Sequence, residues 1–152
     1  MCSSDLYHPL LATVAGTEEV VGVRLRGGNA NTGRGVAGFL TLMFNRVRRA
    51  GTTGPMVLRA DSGFYSSKVT QACAKAGVSF SITVKTSKAL HKVIAAISEE
   101  DWTPIPYWID GGAEVAETTY RPFSKTHPEV RLIVRRVKPT PDSQLALFST
   151  YD

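Results

Sequence analysis

Three apolar stripes with helical spacing alternate with short apolar runs over the first 98 residues of the chain. In the first stripe, Val36, Phe39, Leu40, Met43 and Val47 recur every three or four residues, which places them on one face of an α-helix. The short runs between the stripes are typical of strands. A chain that alternates strands and helices in this way is predicted to form an α/β fold.

The predicted order through residue 98 is β-β-α-β-α-β-α. The predicted strands are Tyr7–Ala15, Val20–Arg26, Met56–Ala60 and Ser79–Val84. The predicted helices are Arg34–Ala50, a helix capped by Ser66 or Ser67 that ends at Gly77, and a helix capped by Ser87. A short turn at Gly16 makes the first two strands antiparallel neighbours, and the first helix is the crossover that places Met56–Ala60 parallel in the same sheet.

The helical spacing ends near Trp102, and the rest of the chain is predicted to be rich in strands. Gly and Pro turns separate the predicted strands Ile105–Ile109, Ala113–Tyr120, Arg131–Val137 and Leu145–Ser149. No repeat, low-complexity tract or linker divides the sequence. We therefore expect one domain with a β-rich extension.

The charge balance favours an anionic partner such as nucleic acid. The chain has 152 residues, with 18 Lys and Arg against 13 Asp and Glu, a formal net charge of +5 and a pI near 9.4. The candidate phosphate contacts are Arg24, Arg26, Arg135 and Arg136. The alternative, in which these residues form solvated faces of the protein, stays open.

The remaining composition indicates a cytoplasmic protein with no membrane association. Cys2 and Cys73 lack the spacing of a zinc site or a disulfide framework. No apolar stretch approaches the roughly 20 residues that cross a bilayer, and the first six residues do not have the pattern of a secretory signal.

Asp61 is the strongest candidate for chemistry, because it directly follows the predicted strand Met56–Ala60. Carboxyl ends of strands in open α/β sheets collect ligands, and a carboxylate there can hold Mg²⁺. The alternative is that Asp61 caps the turn by bonding to the backbone. If Asp61 serves a metal, its removal should cost the fold little.

The segment Gly33–Gly38 matches the G-x-G-x-x-G pattern of nucleotide-binding oxidoreductases. In that fingerprint the first glycine follows its strand almost directly, and an acid lies about 20 positions later. Here several loop residues intervene and Thr52, Thr53 and Gly54 occupy the acidic region. We therefore interpret the match as the coincidental start of a helix.

Three short motifs together resemble the DDE transposases of bacterial insertion sequences, particularly the group numbered thirteen-eighty. They are Tyr7-His8-Pro9-Leu10-Leu11, Leu25-Arg26-Gly27-Gly28-Asn29 and Leu58-Arg59-Ala60-Asp61-Ser62-Gly63-Phe64. The resemblance implies a ribonuclease-H-like mixed sheet with flanking helices, in which three acids hold two Mg²⁺ or Mn²⁺ ions. It implies DNA cleavage and strand transfer, with transposon ends and target DNA as partners and Asp61 as the second acid.

The resemblance also predicts what this chain lacks. It assigns residues 1–6 to an unmatched leader, 7–98 to the ribonuclease-H-like part and 99–152 to a β-rich insertion. The first acid of the family precedes the region matching Tyr7, and the last lies beyond the insertion, so Glu114 and Glu117 receive no metal role. We expect a fragment, truncated at both ends and inactive alone, and leave its status as an enzyme and its homo-oligomerisation open. A non-enzymatic basic module that binds nucleic acid or a protein is the alternative function.

Overall fold

The computed structural model describes residues 7–31, 33–108, 111–123 and 127–138. The chain divides into two compact units, residues 1–85 and residues 86–152. The first is called unit 1 and the second unit 2. Each is described by itself.

Unit 1 contains four strands and two α-helices in the described part of the chain. They are β1 (Leu10–Thr13), β2 (Val20–Arg24), α1 (Val36–Arg49), β3 (Val57–Ala60), α2 (Ser67–Lys75) and β4 (Ser79–Ile82). This order is the predicted one. The strands are shorter than predicted at their ends, although a bridge between Tyr7 and Gly27 extends the β1–β2 pairing.

The core of unit 1 lies between the helices and one face of the strands. Phe39, Leu40 and Met43 of α1 are buried with Val69 and Cys73 of α2. These residues are those of the predicted helical stripes, so the spacing identified the buried faces correctly. Alternate residues of β1, β3 and β4 pack against the same cluster, which places all three strands over one layer of helices.

The strand pairing in unit 1 differs from the prediction. β1 and β2 are antiparallel, with Leu10 opposite Arg24, as the Gly16 turn predicted. β3, however, is hydrogen-bonded to β4 in parallel, and these two strands form a separate two-stranded sheet. The prediction that Met56–Ala60 lies in the same sheet as the first two strands is therefore wrong for the described residues. The α1 crossover brings β3 onto the shared helical layer but not into hydrogen-bonding contact with β1.

Unit 2 contains one α-helix and a three-stranded antiparallel sheet in its described residues. The elements are α3 (Lys88–Ala95), β5 (Thr103–Ile105), β6 (Ala113–Tyr120) and β7 (Val130–Val137), in the sheet order β5-β6-β7. The predicted cap of α3 is confirmed, because the Ser87 hydroxyl accepts a hydrogen bond from the Leu90 N–H at 3.1 Å.

Two of the four strands predicted for this half are placed correctly. β6 matches its predicted range and β7 begins one residue early, at Val130. The prediction of Ile105–Ile109 is wrong, because the strand ends where that range begins. Residues 106–108 take no part in strand pairing. The predicted strand Leu145–Ser149 lies outside the described residues.

Candidate metal and nucleic-acid site

Asp61 lies at the carboxyl end of β3, where the sequence predicted it. A short 3₁₀ helix, Ser62–Phe64, follows directly, and Asp61 is its capping residue. The Asp61 Oδ1 accepts a hydrogen bond from the Gly63 N–H at 2.7 Å. The turn-capping alternative is thus observed. This hydrogen bond uses one carboxylate oxygen of Asp61, so the second oxygen can still bind a cation.

The described residues contain no group of three or more His, Cys, Asp or Glu side chains that could hold a metal ion. Asp61 offers the hard oxygen that Mg²⁺ prefers, but Mg²⁺ needs six ligands in octahedral geometry. The side chain of Asp61 therefore fits one position of such a site. The described part of the chain does not complete a group of three such ligands around it.

Arg24 and Arg26 of the first unit direct their side chains at the loop before α1. Arg24 donates to the Gly35 carbonyl at 3.1 Å and lies over the Phe39 ring. Arg26 donates to the carbonyls of His8, at 2.9 Å, and Arg34, at 3.0 Å. Both guanidinium groups thus bind backbone carbonyls. A phosphate could contact either guanidinium group only while these hydrogen bonds are also present.

The glycine-rich segment forms this same loop. Gly35 adopts a left-handed conformation, with φ 72°, as the residue that precedes α1. The loop separates the end of β2 at Arg24 from the helix, whereas a dinucleotide fingerprint needs the glycines directly after the strand. The segment is the start of a helix, as interpreted from sequence.

Arg136 of unit 2 lies at the centre of an ion-pair network. It donates to Glu99 through two bonds of 2.8 and 2.6 Å and to Glu114 at 2.6 Å, and it lies 4.1 Å from the centre of the Trp102 ring. The hydrogen bonds to Glu99 and Glu114 raise the pKa of Arg136 above its usual range. The Glu114 pKa is lowered by hydrogen bonds from Lys138 and Arg136. The charge of Arg136 is therefore balanced within the protein.

Arg135 is exposed and stacks on an aromatic side chain. Its guanidinium carbon lies 5.2 Å from the centre of the Tyr107 ring. The neighbouring Trp108 is 83% exposed, and the two aromatic rings are 5.8 Å apart. Sequence reasoning missed these two aromatic residues. Both lie within the predicted strand Ile105–Ile109, and their adjacency directly after Pro106 was the available signal.

An apolar groove runs between β1 and β3 in unit 1. Its volume is about 900 Å³, and it is lined by residues 10–15 beside β1, 56–61 beside β3 and the buried face of α1. Asp61 lies among the lining residues. We call this feature the β1–β3 groove.

The sequence matches the family described as Transposase DDE domain group 1 over residues 3–151. The chain belongs to this family. The match includes residues 3–6, which were predicted to be part of an unmatched leader. No curated protein and no solved structure gave a significant match. Among the helices of the described ranges, none has the length and apolar character needed to cross a bilayer.

Proposed function

We propose that this chain is part of the catalytic domain of an insertion-sequence transposase of the thirteen-eighty group, with a ribonuclease-H-like fold. In this proposal the intact enzyme cuts DNA and transfers the strand using Mg²⁺ or Mn²⁺. The family match over residues 3–151 carries the proposal. The position of Asp61 at the end of a parallel strand supports it, because carboxylates at such strand ends are well placed to bind metals.

Asp61 is the proposed metal ligand and catalytic acid. A bound pair of divalent ions would stabilise the attacking and leaving oxygens of a phosphoryl displacement. Asp61 would bind through the carboxylate while the Gly63 N–H holds its orientation. Two metals need further acids, and the described residues form no group of three or more possible metal ligands. We therefore propose that this chain alone neither cuts nor joins DNA.

The first test incubates the purified chain with supercoiled plasmid and with labelled duplex DNA in Mg²⁺ or Mn²⁺. We expect no nicking above the background of a metal-free reaction. Robust metal-dependent nicking that disappears in Asp61→Asn would contradict the proposed inactivity and would show that the chain completes its own site.

The second test places Asp61→Asn in the intact transposase that contains this domain. Asn keeps the oxygen that accepts from Gly63 but removes the charge, so the fold should persist while transposition falls at least about 100-fold. Asp101→Asn, which removes an exposed charge from unit 2, is the matched control and should leave transposition unchanged. Retained transposition in Asp61→Asn would return Asp61 to a turn-capping role alone.

DNA is the proposed partner, with Arg24, Arg26, Arg135 and Arg136 as the proposed contacts. Arg135 is the sharpest of these to test, because it is exposed and carries no ion pair among the described residues. Arg131 lies on the same face of β7 but is ion-paired with Glu117. If Arg135 contacts a phosphate, Arg135→Ala should reduce the slope of log affinity against log salt by about 0.9, while Arg131→Ala changes it less. Equal slopes in wild type and Arg135→Ala would remove Arg135 from the contact set.

A further inference from the structure

We propose that Arg59 and Ser81 bind a phosphate group of DNA beside the Asp61 carboxylate. DNA is the partner in the proposed function, and this assignment rests on that part of it. The position of the phosphate rests on the structure, because the three residues share one exposed face of the β3–β4 sheet. Neither Arg59 nor Ser81 is among the four arginines proposed as DNA contacts from the sequence.

Alternation along β3 and β4 separates an inner face of this sheet from an outer one. Leu58, Phe80 and Ile82 are half-buried and pack against the core of unit 1. The residues between them point the other way, because successive side chains of a strand lie on opposite faces. We call these exposed residues the outer face: Val57, Arg59, Ser79 and Ser81. A ligand can therefore reach them from solvent.

The register of the two strands places Arg59 beside Ser81, and Asp61 follows on the same face. β3 and β4 are parallel, and Arg59 is the partner of Ser81. The pairing continues past the end of β4, since the Thr83 N–H donates to the Ala60 carbonyl at 3.3 Å. Asp61 is still extended, so Asp61 and Thr83 form the next pair, about 7 Å further along the strands. These two pairs of residues all line the β1–β3 groove and so share one open space.

The positive charge of Arg59 is not balanced within the described residues. Arg24 and Arg46 of the same unit donate to backbone carbonyls, and the ion pairs of the described residues all lie in unit 2. In the described part of the chain, the Arg59 guanidinium forms neither a hydrogen bond nor an ion pair, not even with Asp61 two residues away. A guanidinium group has five donors in a planar fork that matches phosphate oxygens. The donors of Arg59 are therefore available to an anion.

The net positive charge of the chain lies in unit 1, the unit that contains the outer face. Residues 1–85 contain ten Lys and Arg against four Asp and Glu, which leaves eight against nine for residues 86–152. The formal charge is therefore +6 for unit 1 and −1 for unit 2. A ligand with repeated negative charges is attracted to unit 1, and phosphate contacts dominate the affinity of proteins for DNA. The outer face, with its unbalanced guanidinium group, fits one phosphate of such a ligand.

The Ser81 hydroxyl adds a neutral hydrogen bond to the ionic contact of Arg59. A serine hydroxyl donates one hydrogen bond, and neighbouring strands lie about 4.8 Å apart. One phosphate group above the strand pair can therefore accept hydrogen bonds from both side chains. Only the contact with Arg59 displaces a counterion from DNA, so the two contributions to the affinity depend differently on salt.

The test measures the affinity of the full chain for a short DNA duplex by fluorescence anisotropy, at several salt concentrations. EDTA is present, so the affinity does not depend on a bound metal. Arg59→Gln should reduce the slope of log affinity against log salt by about 0.9 and weaken binding at low salt at least about tenfold. Arg59→Lys keeps the charge and should keep the slope within about 0.3 of wild type. Ser81→Ala should weaken binding about threefold to tenfold without changing the slope.

Arg49→Gln is the matched control, because it removes the same charge from unit 1 at an exposed arginine in the last turn of α1. It should change the salt slope by less than about 0.3. NMR of the wild-type chain locates the contact directly and needs no variant. Addition of the duplex should shift the Nε–Hε signal of Arg59 and the amide signal of Ser81 more than the Nε–Hε signal of Arg49.

The same variants in the intact transposase separate this contact from the proposed role of Asp61. A phosphate contact acts on DNA binding before and during the reaction. Arg59→Gln should therefore raise the DNA concentration for half-maximal cleavage at least about tenfold and leave the rate at saturating DNA within about threefold. Asp61→Asn should lose the rate at saturating DNA, because a metal ligand acts on the chemical step.

An unchanged salt slope in Arg59→Gln, or an equal change in Arg49→Gln, would overturn the assignment of Arg59 while leaving the role of Asp61 intact. A reduced slope in Arg59→Gln together with full cleavage by Asp61→Asn would support the phosphate contact and reject the metal role. If the wild-type chain does not bind the duplex at low salt, the assignment of Arg59 and Ser81 is overturned together with DNA as the partner of this chain.

Discussion

Replacing Gly22 by Ala should destabilise unit 1, because β2 lies against α1 at this position with no room for a side chain. A Cβ atom built on Gly22 would lie 2.5 Å from Sδ and 2.8 Å from Cε of Met43. Carbon atoms in contact are normally about 3.5 to 4 Å apart. The end of the Met43 side chain would therefore have to move by roughly 1 Å.

The magnitude follows from how easily Met43 can move. Its side chain is 5% exposed and part of the core, so it displaces its neighbours when it moves. Overpacking a core costs about 1–3 kcal/mol, and the flexibility of methionine favours the lower half of that range. Replacing a glycine also lowers the conformational entropy of the unfolded chain, which stabilises the folded state by about 0.4–1 kcal/mol. We expect Gly22→Ala to lower the free energy of unfolding by about 1 kcal/mol.

Urea unfolding of four proteins measures this effect and its cause: wild type, Gly22→Ala, Met43→Ala and the double variant. Met43→Ala alone should cost about 2–5 kcal/mol, since it leaves a cavity. In the double variant the new methyl group no longer contacts the Met43 sulfur. The loss of stability in the double variant should therefore be smaller than the sum of the losses in the two single variants, by at least about 0.5 kcal/mol. Strict additivity, or a Gly22→Ala protein as stable as wild type, would refute the proposed contact between β2 and α1.

Three further outcomes are expected. Asp61→Ala should lower the free energy of unfolding by about 0.5–1.5 kcal/mol in denaturant melts, because the hydrogen bond from the Gly63 N–H is lost. This replaces the expectation that Asp61 is nearly dispensable for folding. An equal loss of stability in Asp61→Asn would contradict the role of this hydrogen bond. Cys73 is fully buried, and burial raises the pKa of its thiol to about 11. Iodoacetamide at pH 8 should therefore label it only after unfolding, and rapid labelling of the folded chain would refute its burial. The pKa values of Glu99 and Glu114 are lowered in the folded protein, so their contribution to the stability of unit 2 is fully present at pH values above the ordinary pKa of 4.5 and is lost as the pH falls through the lowered values. The melting temperature of unit 2 should therefore fall on acidification, and it should fall less in Glu114→Gln.

Local patterns predicted the elements of this protein better than their pairing. The α1 stripe and the Ser87 cap depend on residues close in sequence, so periodicity and capping chemistry located both. The strand tip at Asp61 was predicted for the same reason. The separation of β3 from β1 depends on packing across the helical layer, which no local pattern records. Likewise, the partners of Arg136 are Glu114 and Glu99, which lie 22 and 37 residues away, so no local pattern indicated this ion-pair network.

The local pairing within unit 1 has a consequence for how fast the unit folds. Strand partners are close in sequence: Leu10 pairs with Arg24, and Val57 pairs with Ser79 through the single helix α2. Among the described residues, no strand pairing joins residues 10–24 to residues 57–82. Folding rates rise as the sequence distance between contacting residues falls. Each half can therefore form its strands without waiting for the other, and the long-range step that follows is the packing of the two halves into the shared core, where α1 meets α2.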